Sequence, residues 1–129
     1  MILDTSALVA ILYGEPERAN FARCIHDAAS CRISVANFVE LSMVVERQLG
    51  PEAERQIDVL FRRTGIIIEP VTVEHGHLAR QAFLDYGQGR HKAGLNFGDC
   101  FSYALAKATD EPLLFKGNDF SQTDLKSAA

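Results

Sequence analysis

A chain of 129 residues with 47% apolar and 23% charged side chains can bury one core, which excludes disordered and fibrous classes. A formal charge of −4 argues against a surface that binds phosphate passively, so any nucleic-acid chemistry must import positive charge locally. No apolar run approaches the ~18 residues of a membrane span, and Met1-Ile2-Leu3 meets Asp4 without the basic flank of a secretory leader.

The expected chain is therefore a single domain over residues 1–129, cytoplasmic, with no membrane association. Cys24, Cys31 and Cys100 are odd in number and lack a C-x-x-C spacing, which predicts buried reduced thiols rather than a zinc site. His26, His75, His77 and His91 are expected at the surface or its boundary.

Four short apolar runs predict strands, each near a helical pattern. Met1-Ile2-Leu3 runs into Asp4-Thr5-Ser6 and an apolar segment from Ala7 to Leu12. Cys31-Arg32-Ile33 precedes Ser34, an N-cap for a helix over Val35–Leu49. Gly50-Pro51 stops that helix and starts another to about Arg63, with Ile57, Leu60 and Phe61 inward. Ile66-Ile67-Ile68 is the most strand-like run. Thr72 caps a helix carrying Leu78, Ala79, Ala82, Phe83 and Tyr86 on one side. Gly87–Gly98, with Arg90, His91 and Lys92, reads as a mobile loop. Asn96 opens a helix to about Thr109, and Leu113-Leu114-Phe115 forms the last strand. Strands alternating with helices predict a three-layer α/β/α sandwich around a short, mostly parallel sheet.

In such sheets, ligands bind beyond the carboxyl ends of the strands, where strand order switches. Asp4 follows the first strand and Asp119 the last. Either could instead serve a turn or a helix cap. Glu40 lies mid-helix among Phe38, Val39, Leu41, Met43 and Val44, where a carboxylate must be paired, bind metal or reach out to solvent. Asp99, three residues after Asn96, fits both a capping box and a metal ligand at a helix N-terminus. Together these acids make a stronger case. One carboxylate pair at ~4 Å costs ~4 kcal/mol at an effective dielectric of ~20, so a cluster requires cations or raised pKa values. Hard oxygen ligands select Mg²⁺, with Mn²⁺ as a substitute.

The segments Met1-Ile2-Leu3-Asp4-Thr5-Ser6-Ala7, Glu40 in its helix, Asn96-Phe97-Gly98-Asp99-Cys100 and Leu113-Leu114-Phe115-Lys116-Gly117-Asn118-Asp119-Phe120 resemble the PIN-domain nucleases of the VapC toxin type. The resemblance implies an endoribonuclease of a toxin–antitoxin pair, Mg²⁺ dependence, an RNA substrate, a homodimer and a neutralising antitoxin. It implies a metal site of Asp4, Glu40, Asp99 and Asp119 with Ser6 as a hydrogen-bonding neighbour. Many relatives carry Thr and a second acid where this chain has Phe115-Lys116-Gly117-Asn118. Arg90 and Lys92, in the basic loop beside the Asp99 helix, are the expected RNA contacts. Phosphatases of the haloacid dehalogenase type need Asp-x-Asp after the first strand, and Ser6 occupies the second position here. Phosphoacceptor receiver domains need an Asp after a middle strand, where Glu69-Pro70 stands. A non-catalytic RNA- or partner-binding module is the alternative, with all the acids serving as caps.

Overall fold

Strands and helices alternate along the chain in a computed structural model that describes residues 1–129. The first half contains β1 (Ile2–Leu3), α1 (Thr5–Leu12), α2 (Arg18–Asp27), β2 (Arg32–Ser34), α3 (Val35–Leu49) and α4 (Glu52–Thr64). The second contains β3 (Ile67–Glu69), α5 (Val73–Tyr86), α6 (Phe97–Thr109), β4 (Leu113–Leu114) and a 3₁₀ turn over Phe120–Gln122.

All four strands pair in parallel in the order β3-β2-β1-β4. The chain moves outward from β1 to β3, then returns across the sheet to place β4 on the other side of β1. That reversal opens a crevice beyond the carboxyl ends of β1 and β4. Successive strand residues point to opposite faces and so build two cores. Leu3, Ile33 and Leu114 pack with α1, α2, α3 and α4, whereas Ile2 and Leu113 pack with α5 and α6. The result is the expected three-layer sandwich.

Local chemistry sets the element ends. Ser34 caps α3 by accepting from the Ala36 N–H at 3.3 Å, and Thr72 caps α5 by accepting from His75 N–H at 3.1 Å. Gly65 takes the left-handed φ of +69° that ends α4. The outer edge of β4 is covered by the chain itself, because Leu113 N–H donates to Lys126 O and Ala128 N–H to Leu113 O, both at 2.9 Å. The outer edge of β3 carries exposed Ile67 and Ile68.

Four expectations need correction or addition. Helix α2 has no counterpart among the elements expected from the sequence, because Glu17 gives it no side-chain cap and only Phe21 and Ile25 are buried. The Ile66-Ile67-Ile68 run supplies an edge strand shifted by one residue, with only Ile66 buried. Phe83 points outward rather than joining Ala79 and Ala82 in the core. The Gly87–Gly98 segment is anchored: Gly87 bridges to Leu95, Ala93 and Leu95 are buried, and His91 Nδ1 accepts from Ala93 N–H at 3.0 Å.

Candidate metal centre

Asp4 leaves β1 and caps α1 from a position only 3% exposed. Its Oδ2 accepts from the Ser6 N–H at 3.0 Å and from Ser6 Oγ at 2.6 Å. Its Oδ1 accepts from Ser102 Oγ at 2.6 Å. These donors are neutral, so they orient the charge without cancelling it. Ser6 Oγ also accepts from Lys116 N–H at 3.0 Å, which ties the end of β1 to the loop after β4.

Glu40 is half-buried and turns back toward α1. Its Oε1 accepts from Thr5 Oγ1 at 2.5 Å and from Asn37 Nδ2 at 3.4 Å. The carboxylate lies against the start of α6, where a Cβ built on Gly98 would overlap it. Its neighbours Val39 and Met43 are the groups that face solvent.

Asp99 sits in the first turn of α6 within a complete capping box. Asn96 Oδ1 accepts from Asp99 N–H at 2.9 Å, and Asp99 Oδ2 accepts from Asn96 N–H at 3.0 Å. Burial, reinforced by the charges of Asp4, Glu40 and Asp119, pushes its carboxyl up to about 7 against the opposing Asn96 N–H. Asp4, Glu40 and Asp119 thus all lie close enough to Asp99 to act on its carboxyl. Asp119 contributes from an exposed turn after β4.

A divalent cation suits this donor set. Every available donor is an oxygen, and Asp99 Oδ1 and Glu40 Oε2 have no intramolecular hydrogen bond. No cationic side chain offsets the repulsion on Asp99. The Lys116 ammonium is turned away, 3.3 Å from Glu15 and 3.4 Å from Glu17. No three His, Cys, Asp or Glu side chains already close on one point tightly enough to hold an ion.

Arg90 and Lys92 are exposed on the segment between α5 and α6. The Arg90 guanidinium lies over the outward-turned Phe83 ring at 5.3 Å. Three site-lining residues escape a search for acids: Thr5, Asn37 and Ser102. Two of them carry a signal in spacing, because Asn37 precedes Glu40 by three residues and Ser102 follows Asp99 by three, whereas Thr5 carries none. Beside the acids, Val39, Met43, Phe97 and Phe101 form an apolar groove, with Phe97 80% exposed.

The sequence profile of the family described as PIN domain matches residues 1–126. The protein named Ribonuclease VapC28 of Mycobacterium tuberculosis is 46% identical over 129 residues, covering 99% of this chain and 97% of that protein. Ribonuclease VapC30 of the same species is 42% identical over 129 residues, covering 100% and 98%. Among solved structures, Mycobacterium tuberculosis VapC20, described as a Sarcin-Ricin loop cleaving toxin, superposes with a TM-score of 0.77 at 18% identity over 96% of this chain and 95% of that one. A toxin-antitoxin complex from Klebsiella pneumoniae gives 0.73 at 14% identity, over 95% and 92%.

Proposed function

This chain belongs to the PIN domain family, and on that footing we propose that it is a Mg²⁺-dependent endoribonuclease, the toxin of a toxin–antitoxin pair. It is an RNA-cleaving hydrolase like its full-length relatives. The observation that carries the metal-site reading is the convergence of three acids on the start of α6: Asp99 lies in its first turn, the Glu40 carboxylate packs against Gly98, and Ser102 holds Asp4.

Asp4, Glu40 and Asp99 would hold the ion, with Asp119 adding charge at the open rim. A bound divalent ion supplies a Lewis acid for the phosphodiester and lowers the pKa of a water. Asp4 is oriented by Ser6 and Ser102. Glu40 orients the attacking water and takes up its proton on the unpaired Oε2. Water attacks phosphorus in line, the bond to the 3′-oxygen breaks, and that oxygen takes a proton from solvent, so the products carry a 5′-phosphate and a 3′-hydroxyl. No protein nucleophile is required. Arg90 and Lys92 would contact the RNA backbone.

The partners proposed are RNA, an antitoxin and a second copy of the chain. Solved relatives of this fold include toxin-antitoxin complexes. Exposed Phe97, Met43 and Val39 beside the site support a homodimer through α3 and α6. No helix is long and apolar enough to cross a membrane.

The test is purified protein incubated with total RNA, with Mg²⁺ or with EDTA, followed by mapping of the cut ends. Cleavage in Mg²⁺ alone that leaves 5′-phosphates is expected, and Asp4→Asn or Asp99→Asn should abolish it in folded protein. Equal cutting in EDTA, or none by the wild type in Mg²⁺ or Mn²⁺, overturns the reading.

A further inference from the structure

We propose that Asn37 is a positioning residue for the metal centre, its buried amide fixing Glu40 on α3 relative to Asp99 on α6. The inference rests on the nuclease reading of the carboxylate cluster and adds a residue to its machinery. Asn37 is completely buried. Its Nδ2 donates to Gly98 O at 2.9 Å and to Glu40 Oε1 at 3.4 Å. One amide group therefore holds both the carboxylate and the residue that immediately precedes Asp99.

Two acceptors on Nδ2 fix the orientation of the amide, and its Oδ1 is left buried without a partner. An unpaired buried acceptor destabilises the fold, whereas an apolar side chain of similar volume would carry no such penalty. Only the Nδ2 contacts make use of the amide, and both lead to the acids. Gly98 completes the bracket. Its backbone conformation is ordinary for a helix, so its missing side chain serves space alone. A Cβ there would overlap the Glu40 carboxylate. Thr5 Oγ1 closes the third side by donating to Glu40 Oε1 at 2.5 Å.

The probe is Mn²⁺ alone, its free concentration read by electron paramagnetic resonance in the RNA-free protein, with thermal melts in parallel. Asn37→Leu keeps the volume and removes the donor. It should weaken Mn²⁺ binding by about ten- to a hundredfold, the range for residues that orient metal ligands, while a cooperative melt persists. Gly98→Ala should weaken binding comparably by displacing Glu40. The double variant should be no weaker than the worse single one, because both act through the same carboxylate.

If Asn37→Leu does not fold, Asn37→Ser, whose hydroxyl is too short to reach both acceptors, is expected to show the same weakening. Glu40→Gln and Asp99→Asn report on the cluster itself. If they leave Mn²⁺ affinity unchanged, the metal reading fails and this inference with it. If they weaken binding while the Asn37 variants bind as wild type does, Asn37 is structural only and the nuclease reading stands.

Discussion

Ser102, wholly buried on α6, donates its hydroxyl to Asp4 Oδ1 across 2.6 Å and so joins the end of the first strand to a helix from the other half of the chain. Ser102→Ala leaves that carboxylate oxygen short of a donor in a buried place. Hydrogen bonds to charged groups contribute ~1.5–3 kcal/mol, so urea unfolding in EDTA should show a loss of about that size. RNA cleavage should fall as well, because Asp4 is then held only through Oδ2 by Ser6. A variant as stable and as active as the wild type would show that Ser6 orients Asp4 unaided.

Asp99 gives the metal-free protein an unusual pH dependence. Its carboxyl is raised from 3.8 to about 7, chiefly by burial and then by Asp4, Glu40 and Asp119. The folded state therefore holds a proton that the unfolded chain releases near its ordinary value. Stability should fall as pH rises from about 4 to about 7, and Asp99→Asn should flatten that slope. Urea melts in EDTA at several pH values across this window check it. Metal binding must expel the same proton, so Mn²⁺ affinity should climb through this range. Calorimetry in buffers of different ionisation heat should detect proton release. A slope unchanged by Asp99→Asn would assign the titration to another group.

The basic segment after α5 makes a prediction in salt. Removing two cationic contacts to single-stranded RNA should make the slope of log affinity against log salt shallower by about 1.4. Arg90→Gln with Lys92→Gln measures this in an uncleaving Asp4→Asn background. Because Arg90 also covers Phe83, melts must confirm that the fold survives. An unchanged slope removes this segment from the RNA path.

A neutralising partner has a ready target in the acids. A guanidinium forks bidentately onto carboxylates, so an antitoxin segment that places Arg among Asp4, Glu40 and Asp99 would occupy the position of the ion. Raising Mg²⁺ should then relieve inhibition, and replacing the inserted Arg by Ala should relieve it more than it weakens binding. Titration of the complex with Mg²⁺ at fixed RNA decides. Inhibition indifferent to Mg²⁺ and to every basic residue of the partner would indicate a block elsewhere on the RNA path.

Much of this architecture is legible in the residues, and the gaps share physical causes. Ser34, Gly50-Pro51, Thr72 and Asn96 mark helix ends because capping is local chemistry, and each lies where expected. The acids stand out because a carboxylate among apolar neighbours demands an explanation. Helix α2 escapes notice because its two buried residues, Phe21 and Ile25, make too narrow an apolar stripe. Phe83 misleads because helical periodicity sets it beside Ala79 and Ala82, yet it lies at the margin of that face and stays in solvent. Gly87–Gly98 looks mobile by composition, yet Ala93 and Leu95 anchor it through tertiary packing. Thr5 and Ser102 are ordinary polar residues until the fold presents them to acids on other elements, and Asn37, on the helix of Glu40, gains its second acceptor only when α6 brings Gly98 against it.

The uncovered rim of β3 offers an engineering handle remote from the chemistry. Two strands separate it from β4, and neighbouring strands lie ~4.8 Å apart, so changes there act well away from the crevice. Exposed isoleucines on an open strand invite sheet extension between molecules, the route by which concentrated protein precipitates. Lysine in place of Ile67 would discourage such stacking while sparing both cores, since Ile67 belongs to neither. The site can thus be handled at high concentration without altering a residue that serves it.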